Sequence, residues 1–533
     1  MTRRTLQDNY LDLRDIHMAL DVSRVEPVSD NLVDRCRIAI DAMERLEAGE
    51  PVNIDENRMV GHYWMRDPGR APQNLGQSIT ETVNRIRAFV DAVHRGDVRP
   101  QQEEGFFILL LVGIGGSALG PQLLADALGD ADDLMLLKCI DNTDPDGIDR
   151  ILDEIGDNLA ATMTLVVSKS GGTAETRNGM LEVAERYRQA GLDFARHAVA
   201  VTMTDSKLDR QATEEKWLAR FPIWDHVGGR TSVTGAVGLL PAALLGFDTE
   251  QFLQGAAEAD EVTRQPDPMA NPAAQLAMAL FSCRQRGKRN LVVLPYSDRL
   301  SLLTRYLQQL VMESLGKAVN RQGDVVAEGV SVLGNKGSTD QHALVQQLRE
   351  GPDDCLLLFV GVRKTRSAPS IAVSDTACTS DFLHAFLLGT RTALTDAGRE
   401  SMTLMLDSLD ERMLGSLIAL FERTVGIYAE LANINAYHQP GVEAGKNSAG
   451  EELALRAAIV KLLAENGEDP LSAREVATRL QCDDRLASIY EWLAYLVHQP
   501  EIIGQPGIRV VRGDAAVPFD APFRLQQGAV VNE

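Results

Sequence analysis

One strand-to-helix turn concentrates hydroxyl groups, glycines and a lysine. It reads Ser168-Lys-Ser-Gly-Gly-Thr173 and continues as Ala-Glu-Thr176. Hydroxyl and backbone N–H groups can surround the oxygens of a phosphate from several sides. A helix cap would need only one such side chain. The density of donors therefore favours a phosphate site over a capped turn.

An earlier glycine-rich turn, Gly113-Ile-Gly-Gly-Ser-Ala-Leu-Gly120, follows an apolar run and precedes a helix. Glycines let the backbone approach a ligand closely, and the helix behind them presents free N–H groups and a positive dipole end. Gly113, Gly115 and Ala118 also fit a dinucleotide fingerprint, with Asp141 near the place of a ribose-binding acid. On these residues alone, a packing turn, a nucleotide loop and a sugar-phosphate loop all remain open.

Six separated segments together resemble the glucose-6-phosphate isomerase family. In chain order they are Gly113–Pro121, Ser168–Thr176, Gly228–Ser232, Met312–Lys317, Asp340–His342 and Gln439–Lys446. Many members have Thr where this chain has Gly172 and Asn where it has Leu315. The resemblance implies two tandem sugar isomerase (SIS) domains, interconversion of glucose 6-phosphate and fructose 6-phosphate, and no need for a cofactor or metal ion.

The chemistry of an aldose–ketose isomerase needs a base that moves a proton between C2 and C1, and a cation that stabilises the enediolate. The resemblance assigns the first role to Glu313 and the second to Arg230. It assigns ring opening to His342 and Lys446 and contacts with the sugar hydroxyls to Gln439. The resemblance also implies that the two turns hold the phosphate and the sugar, at Gly115, Gly116, Ser117, Ser168, Lys169, Ser170, Gly172 and Thr173.

The resemblance further implies a homodimer in which the histidine of one subunit completes the site of its neighbour. Two other classes of protein remain as alternatives. One is a sugar-phosphate sensor whose C-terminal helices bind a partner or DNA. The other is a dinucleotide-dependent oxidoreductase, which depends only on the Gly113–Ala118 match and Asp141.

The elements that must position these residues alternate between short apolar runs and helices. Such runs indicate strands covered on both faces, and hence doubly wound, mainly parallel α/β sheets. The first SIS-like domain is predicted over residues 105–265. It would contain the strands Phe106–Val112, Leu134–Ile140, Thr164–Ser168 and Ala198–Met203 and the helices Gly120–Leu128, Asp146–Ile155, Glu175–Gln189 and Lys207–Arg220.

A proline-rich linker, Arg264–Pro272, precedes a second SIS-like α/β domain predicted over residues 273–450. It would contain the strands Leu291–Pro295, Cys355–Val362 and Met402–Leu406 and the helices Ala273–Arg286, Arg299–Leu315, Asp381–Thr392 and Glu411–Asn433.

The two ends of the chain are predicted to be helical. Residues 1–104 form a lead-in without strands, including helices Asp30–Glu47 and Leu75–Val93. Residues 451–533 form an extension with helices Ala457–Asn466, Leu471–Leu480 and Leu486–Leu496, then coil after Gln499. The last two helices have helix-turn-helix spacing, but a cap on a domain edge is the stronger interpretation because a DNA reader needs basic residues.

The charge, the cysteine spacing and the apolar runs of the chain exclude several classes of protein. The 533 residues carry a formal net charge of −23, which argues against nucleic-acid or anionic-membrane partners. The six cysteines show no CxxC pair and no zinc spacing. No secretory signal follows Met1, and the apolar runs are too short to span a bilayer. We therefore expect a cytoplasmic protein.

Overall fold

The computed structural model describes residues 9–72, 74–502 and 508–527. The chain forms two compact units, Met1–His438 and Gln439–Glu533. The first unit contains a five-stranded sheet, a six-stranded sheet and a two-stranded hairpin, and the second contains a three-stranded sheet.

The N-terminal segment contains strands as well as helices. Its elements are β1 (Tyr10–Leu13), β2 (Met18–Arg24), α1 (Asp30–Glu47) and α2 (Leu75–His94). The two helices confirm the prediction, whereas the expected lack of strands over residues 1–104 is wrong. β1 and β2 form an antiparallel hairpin, and β2 also pairs with Ser401–Leu406 of the second domain. No local pattern reveals that pairing because the partner strand lies far away in the chain.

The five-stranded sheet is entirely parallel, in the order β4-β3-β5-β6-β7. Leu109 and Leu111 of β3 face one core, while Ile108, Leu110 and Val112 face another. Burial on both faces explains the continuous apolar runs and confirms the doubly wound arrangement. The elements are β3 (Ile108–Val112), α3 (Gly116–Leu128), β4 (Leu136–Ile140), α4 (Pro145–Ile155), β5 (Thr162–Ser168), α5 (Ala174–Gln189), β6 (Ala198–Thr202), α6 (Lys207–Glu214), β7 (Ala219–Pro222), α7 (Ala236–Leu245) and α8 (Thr249–Thr263).

The predicted helix Lys207–Arg220 is wrong in its last part. The helix ends at Glu214, and Lys216 adopts a left-handed conformation with φ of 59°. A left-handed residue ends a helix because it turns the chain away from the helical path. The chain then runs into β7, the edge strand of the sheet.

The six-stranded sheet is mixed, in the order β1-β2-β13-β12-β8-β11. Its last four strands are parallel, and the N-terminal hairpin extends one edge antiparallel. The strands β9 to β11 were not predicted from the sequence; β9 and β10 pair with each other. The elements are α9 (Pro272–Gln285), β8 (Asn290–Tyr296), α10 (Leu303–Leu307), β9 (Lys317–Val319), β10 (Val325–Glu328), β11 (Ser331–Leu333), α11 (Val345–Glu350), β12 (Cys355–Val362), α12 (Thr379–Asp396), β13 (Ser401–Leu406) and α13 (Glu411–Ala432).

The second unit has an apolar core of its own and three antiparallel strands in the order β14-β16-β15. Its elements are α14 (Pro440–Asn466), β14 (Leu471–Ser472), α15 (Ala473–Leu480), α16 (Leu486–Val497), β15 (Ile508–Arg512) and β16 (Pro522–Gln527). This succession, ending in a hairpin after the third helix, is that of a winged helix. α16, in the position of the recognition helix, carries Glu491 and no Lys or Arg.

Two predictions for this unit are wrong. The coil expected after Gln499 contains the two hairpin strands. The helix expected to begin at Ala457 begins at Pro440, so the predicted boundary at residue 450 falls inside it. Residues 445–451 are all exposed, and a helix without a buried stripe has no apolar periodicity to reveal it. Among the described helices of the whole chain, none combines the length and apolarity required to cross a membrane.

Candidate active site

Arg230 and Glu313 form an ion pair at the centre of the site. The Arg230 Nε lies 3.0 Å from Glu313 Oε2. The Nη1 of the same guanidinium donates to the Ala436 carbonyl oxygen at 2.6 Å and to Ser314 Oγ at 3.3 Å. The side chains are 6% and 18% exposed, respectively, so the carboxylate is the more accessible partner. Burial lowers the pKa of Arg230 and the Glu313 carboxylate opposes that effect, while a guanidinium keeps its charge at neutral pH.

Glu313 occupies the end of a π-helical segment, Gln308–Glu313, which continues α10. The prediction of one regular helix over Arg299–Leu315 is therefore wrong in its geometry, since an apolar pattern does not distinguish a π turn from an α turn. Gln308 Nε2 donates to the Val332 carbonyl oxygen at 3.2 Å and fixes the segment to β11. Single π turns inside helices occur frequently at functional sites.

The first glycine-rich turn lies directly against the turn that carries Arg230. A Cβ atom on Gly116 would lie 2.1 Å from the Gly229 carbonyl oxygen, so only glycine permits this approach. Gly115 has a positive φ of 59°, and a Cβ there would lie 3.1 Å from Gln309 Nε2. The turn that includes Ser117 thus borders both the arginine and the helix of the glutamate.

The second glycine-rich turn leaves β5 and enters α5. Ser168 Oγ donates to Thr173 Oγ1 at 3.2 Å, and the Gly172 amide donates to Ser170 Oγ at 3.2 Å. Ser170 and Gly172 are exposed, while Thr173 is half-buried. These donors therefore form an accessible cluster at a helix N-terminus, as an anion site requires.

Lys169 joins this cluster to the arginine turn. Its Nζ donates to the carbonyl oxygens of Asp225 at 2.9 Å and Val227 at 2.8 Å, immediately before Gly228 and Arg230. Burial, followed by the nearby charge of Arg58, lowers the pKa of Lys169 to about 8. The direct phosphate contact expected of Lys169 stays a prediction, while in the structure its ammonium supports the neighbouring turn.

His342, Gln439 and Lys446 are the other three predicted residues. His342 ends the short 3-10 turn Thr339–His342 and is exposed. Gln439 and Lys446 belong to the second unit, at the start of α14, and both are exposed. The structure brings Arg230 and Glu313 together with the two turns, and the roles of the other three stay predictions.

Sequence reasoning missed two residues. The hydroxyl of Thr176, in the first turn of α5 and beside the second turn, is buried without a hydrogen-bond partner in the described part of the chain. Lys317 Nζ donates to the Glu313 carbonyl oxygen at 2.8 Å and to that of His438 at 3.1 Å. Both residues lie within segments that carry the family resemblance, but only the packing shows what their side chains contact.

No cluster of three or more His, Cys, Asp or Glu side chains suited to a metal occurs within residues 9–72, 74–502 and 508–527. All six cysteines are free thiols. The expectation that the reaction needs no cofactor or metal stays a prediction.

Comparison with known proteins gives concordant results. The model of a family described as phosphoglucose isomerase matches residues 27–387 and 390–458. Glucose-6-phosphate isomerase of Geobacter sulfurreducens is 52% identical over 493 residues, covering 91% of this chain and 93% of that protein. The enzyme of Citrifermentans bemidjiense is 48% identical over 523 residues, covering 96% and 98%. The crystal structure of glucose-6-phosphate isomerase from Chlamydia trachomatis superposes with a TM-score of 0.76 at 28% identity, covering 85% of this chain and 91% of that one.

Proposed function

The chain belongs to the phosphoglucose isomerase family and interconverts glucose 6-phosphate and fructose 6-phosphate in glycolysis and gluconeogenesis, and on this premise we propose that Glu313 and Arg230 carry out its proton transfer. The observation that carries the proposal is the contact of a partly exposed carboxylate with a buried guanidinium at 3.0 Å. A base and a fixed cation are the two groups that an enediolate mechanism requires.

In the forward direction, Glu313 removes the proton from C2 of the open-chain aldose. The C–H electron pair forms the C1–C2 double bond, and negative charge moves to the C1 oxygen, where Arg230 stabilises it. A proton then moves from the C2 hydroxyl to the C1 oxygen, which transfers the negative charge to the C2 oxygen. Glu313 returns its proton to C1, where the electron pair of the double bond takes it up, and the C2 oxygen becomes the ketone. The reaction thus balances within the sugar, and the carboxylate is regenerated.

The phosphate is proposed to bind the second glycine-rich turn. The hydroxyls of Ser168, Ser170 and Thr173 and the amide of Gly172 lie at the N-terminus of α5, whose dipole favours an anion. The first turn, Gly115–Ser117, lines the sugar side of the same pocket in this proposal, because it borders the arginine turn.

Ring opening is proposed for His342 and Lys446, with Gln439 binding sugar hydroxyls. A histidine suits this step because its unperturbed pKa lies near neutrality. The exposure of both side chains leaves them accessible to a ligand or a second subunit.

A homodimer is proposed in which His342 completes the neighbour's site. An apolar face beside this histidine supports it: Phe382 and Phe386 of α12 are 41% and 43% exposed, and their ring centroids lie 6.2 Å apart. Gln341 Nε2 donates to the Phe386 carbonyl oxygen at 3.3 Å, which ties the turn of His342 to this face. Contiguous exposed apolar side chains mark interaction surfaces. We place this dimer in the cytoplasm, a reducing compartment that suits six free thiols.

The proposed base is tested by Glu313→Gln in an assay that couples glucose 6-phosphate formation to its oxidation, with EDTA present. We expect kcat to fall by about 10²- to 10⁴-fold, the contribution of a positioned base, with KM nearly unchanged. Glu182→Gln, at an exposed glutamate of α5, is the control and should retain full activity. Wild-type kcat in Glu313→Gln would refute the assignment.

A further inference from the structure

We propose that Lys317 is a positioning residue that keeps Glu313, the base, and Arg230, the cation, in their relative positions. This inference rests on the proposed roles of Glu313 and Arg230. Its ammonium donates to the carbonyl oxygen of Glu313 at 2.8 Å and to that of His438 at 3.1 Å. It therefore contacts the main chain of the base itself and not its carboxylate.

The first of these bonds fixes the end of the π segment. Helix ends leave carbonyl groups without amide donors, and lysine side chains can supply the missing donor. The chain leaves the helix at Gly316 and enters β9 at Lys317. The Lys317 side chain thus reaches back four residues and caps the carbonyl of Glu313, which restricts rotation of that residue's backbone.

The second bond closes a circuit of contacts around the site. Arg230 donates to the Ala436 carbonyl oxygen at 2.6 Å, and Lys317 donates to that of His438, two residues later. The segment from Ala436 to His438 is therefore held by both cations, while Glu313 is held by Arg230 through its carboxylate and by Lys317 through its carbonyl. Removal of Lys317 would leave Arg230 as the remaining one of these two cations on both the segment and the base, and would loosen them together.

The burial of Lys317 also indicates a dedicated role. The residue is only 6% exposed, and an unpaired buried charge costs free energy unless hydrogen bonds compensate it. The two acceptors of its ammonium are neutral carbonyl oxygens, while the charges of Glu313 and Asp55 favour its protonated form. Burial, followed by the charge of Arg230, lowers the pKa of Lys317 to about 8, which leaves it mostly protonated at neutral pH.

The test compares Lys317→Met, which keeps the length but removes the donors, with Lys317→Arg, which restores donors and charge. Lys288→Met is the matched control because Lys288 is 7% exposed and its ammonium contacts Asp353 and Glu400 instead of the site. For each full-length variant, kcat, KM and the thermal unfolding midpoint are measured.

We expect Lys317→Met to lose about 10²-fold in kcat, as misplacement of a reacting group by about 1 Å does, with KM within about threefold, because the phosphate turn is untouched. The kcat of Lys317→Arg should be about tenfold higher than that of Lys317→Met. Lys288→Met should keep the wild-type kcat whatever its thermal unfolding midpoint.

A wild-type kcat in folded Lys317→Met would overturn the inference. It would also be overturned if Lys317→Met and Lys288→Met had the same unfolding midpoint and lost kcat equally. If Glu313→Gln meanwhile loses activity, the proposed function stands and only the role of Lys317 fails. If Glu313→Gln retains activity, the proposed function itself fails.

Discussion

The guanidinium of Arg230 joins three parts of the chain. It binds the Glu313 carboxylate, the Ser314 hydroxyl and the Ala436 carbonyl oxygen from its own position in the turn after Gly228. The planar fork of donors holds these acceptors in a fixed geometry, whereas an ammonium is a point charge on a flexible stem. The arginine is therefore fixed before a substrate arrives, as electrostatic preorganisation requires.

Replacement of Arg230 by lysine tests how much the planar guanidinium contributes to catalysis. We expect Arg230→Lys to lower kcat by about 10²-fold, the usual cost of one oxyanion donor, with a smaller effect on KM. Arg188→Lys, at an exposed arginine paired with Glu185, is the control for an arginine-to-lysine change. Steady-state kinetics decide the question, and an unchanged kcat in Arg230→Lys would remove the arginine from the mechanism.

At the level of single residues, the sequence predicted those functional residues that lie within a recognisable motif. Glu313 and Arg230 were predicted from their segments, and the structure brings them into contact. The contacts of Lys169 and Lys317 were not predictable, because a lysine beside a motif is equally compatible with an exposed side chain. Whether its ammonium meets a ligand or a main-chain carbonyl depends on segments that packing alone brings together.

At the scale of elements, the site depends on a backbone contact between two turns. The turn of Gly116 follows β3, and the turn of Gly229 follows β7, the edge strand of the same sheet. A side chain at Gly116 would force the turns apart, whereas a Cβ at Gly229 would point into open space. Gly116 thus allows the turn of Arg230 to take its observed position, in addition to any close approach of its own backbone to the substrate.

Gly116→Ala tests this contact. Its Cβ would meet the main-chain oxygen of Gly229 at 2.1 Å, which cannot move aside as a flexible side chain does. We expect at least a tenfold loss of kcat, because misplaced groups lose catalytic power steeply, together with a lower thermal unfolding midpoint.

The control for this change is Gly147→Ala in α4, where a Cβ would make only an ordinary contact of 3.4 Å with Asp144. Alanine is the better helix former by about 1 kcal/mol, so this variant should be at least as stable as the wild type and fully active. Equal behaviour of the two alanine variants would show that the turn contact has no importance for the site.

Strands with a continuous apolar pattern were predictable, and strands without one were not. Strand Cys355–Val362 was predicted with its observed bounds because both of its faces are buried. The strand Met18–Arg24 was missed because its partner lies in the second domain. The hairpin of the winged helix, β15–β16, was missed because its strands lie in a proline- and glycine-rich region that resembles coil.

At the scale of the whole molecule, the proposed dimer connects activity to assembly. Phe386→Asp places a charge in the apolar face beside His342 and should produce monomers by sedimentation velocity. If His342 acts in the neighbour's site, specific activity should fall in proportion to the monomer fraction. Leu181→Asp, at a 54% exposed leucine on α5, is the matched control and should remain dimeric and active.

A fully active monomer would contradict that arrangement. Mixing His342→Ala with Glu313→Gln, which are each expected to be inactive alone, adds a second test, because a shared site can be complete only in a mixed dimer. Sedimentation and the mixing experiment report on assembly. Thermal unfolding of each variant reports separately on folding.

The fold class was predicted correctly. The alternation of apolar runs with helices indicated an α/β protein, and the structure has parallel sheets with helices between their strands. The division at Gln439 was not visible in the sequence, since α14 crosses the predicted boundary without a change in composition. Compactness is a property of many distant contacts, which no short window of residues contains.

The central claim is that Glu313 removes the proton from C2, and isotope transfer tests it most directly. Glucose 6-phosphate deuterated at C2 is incubated with the wild type or with Glu313→Gln at saturating substrate, and loss of the C2 deuterium is followed by NMR. If Glu313 is the base, the wild type transfers the deuterium to C1 or exchanges it with solvent, while Glu313→Gln binds the sugar and leaves C2 labelled. Loss of the label in Glu313→Gln at the wild-type rate would show that another group removes the proton.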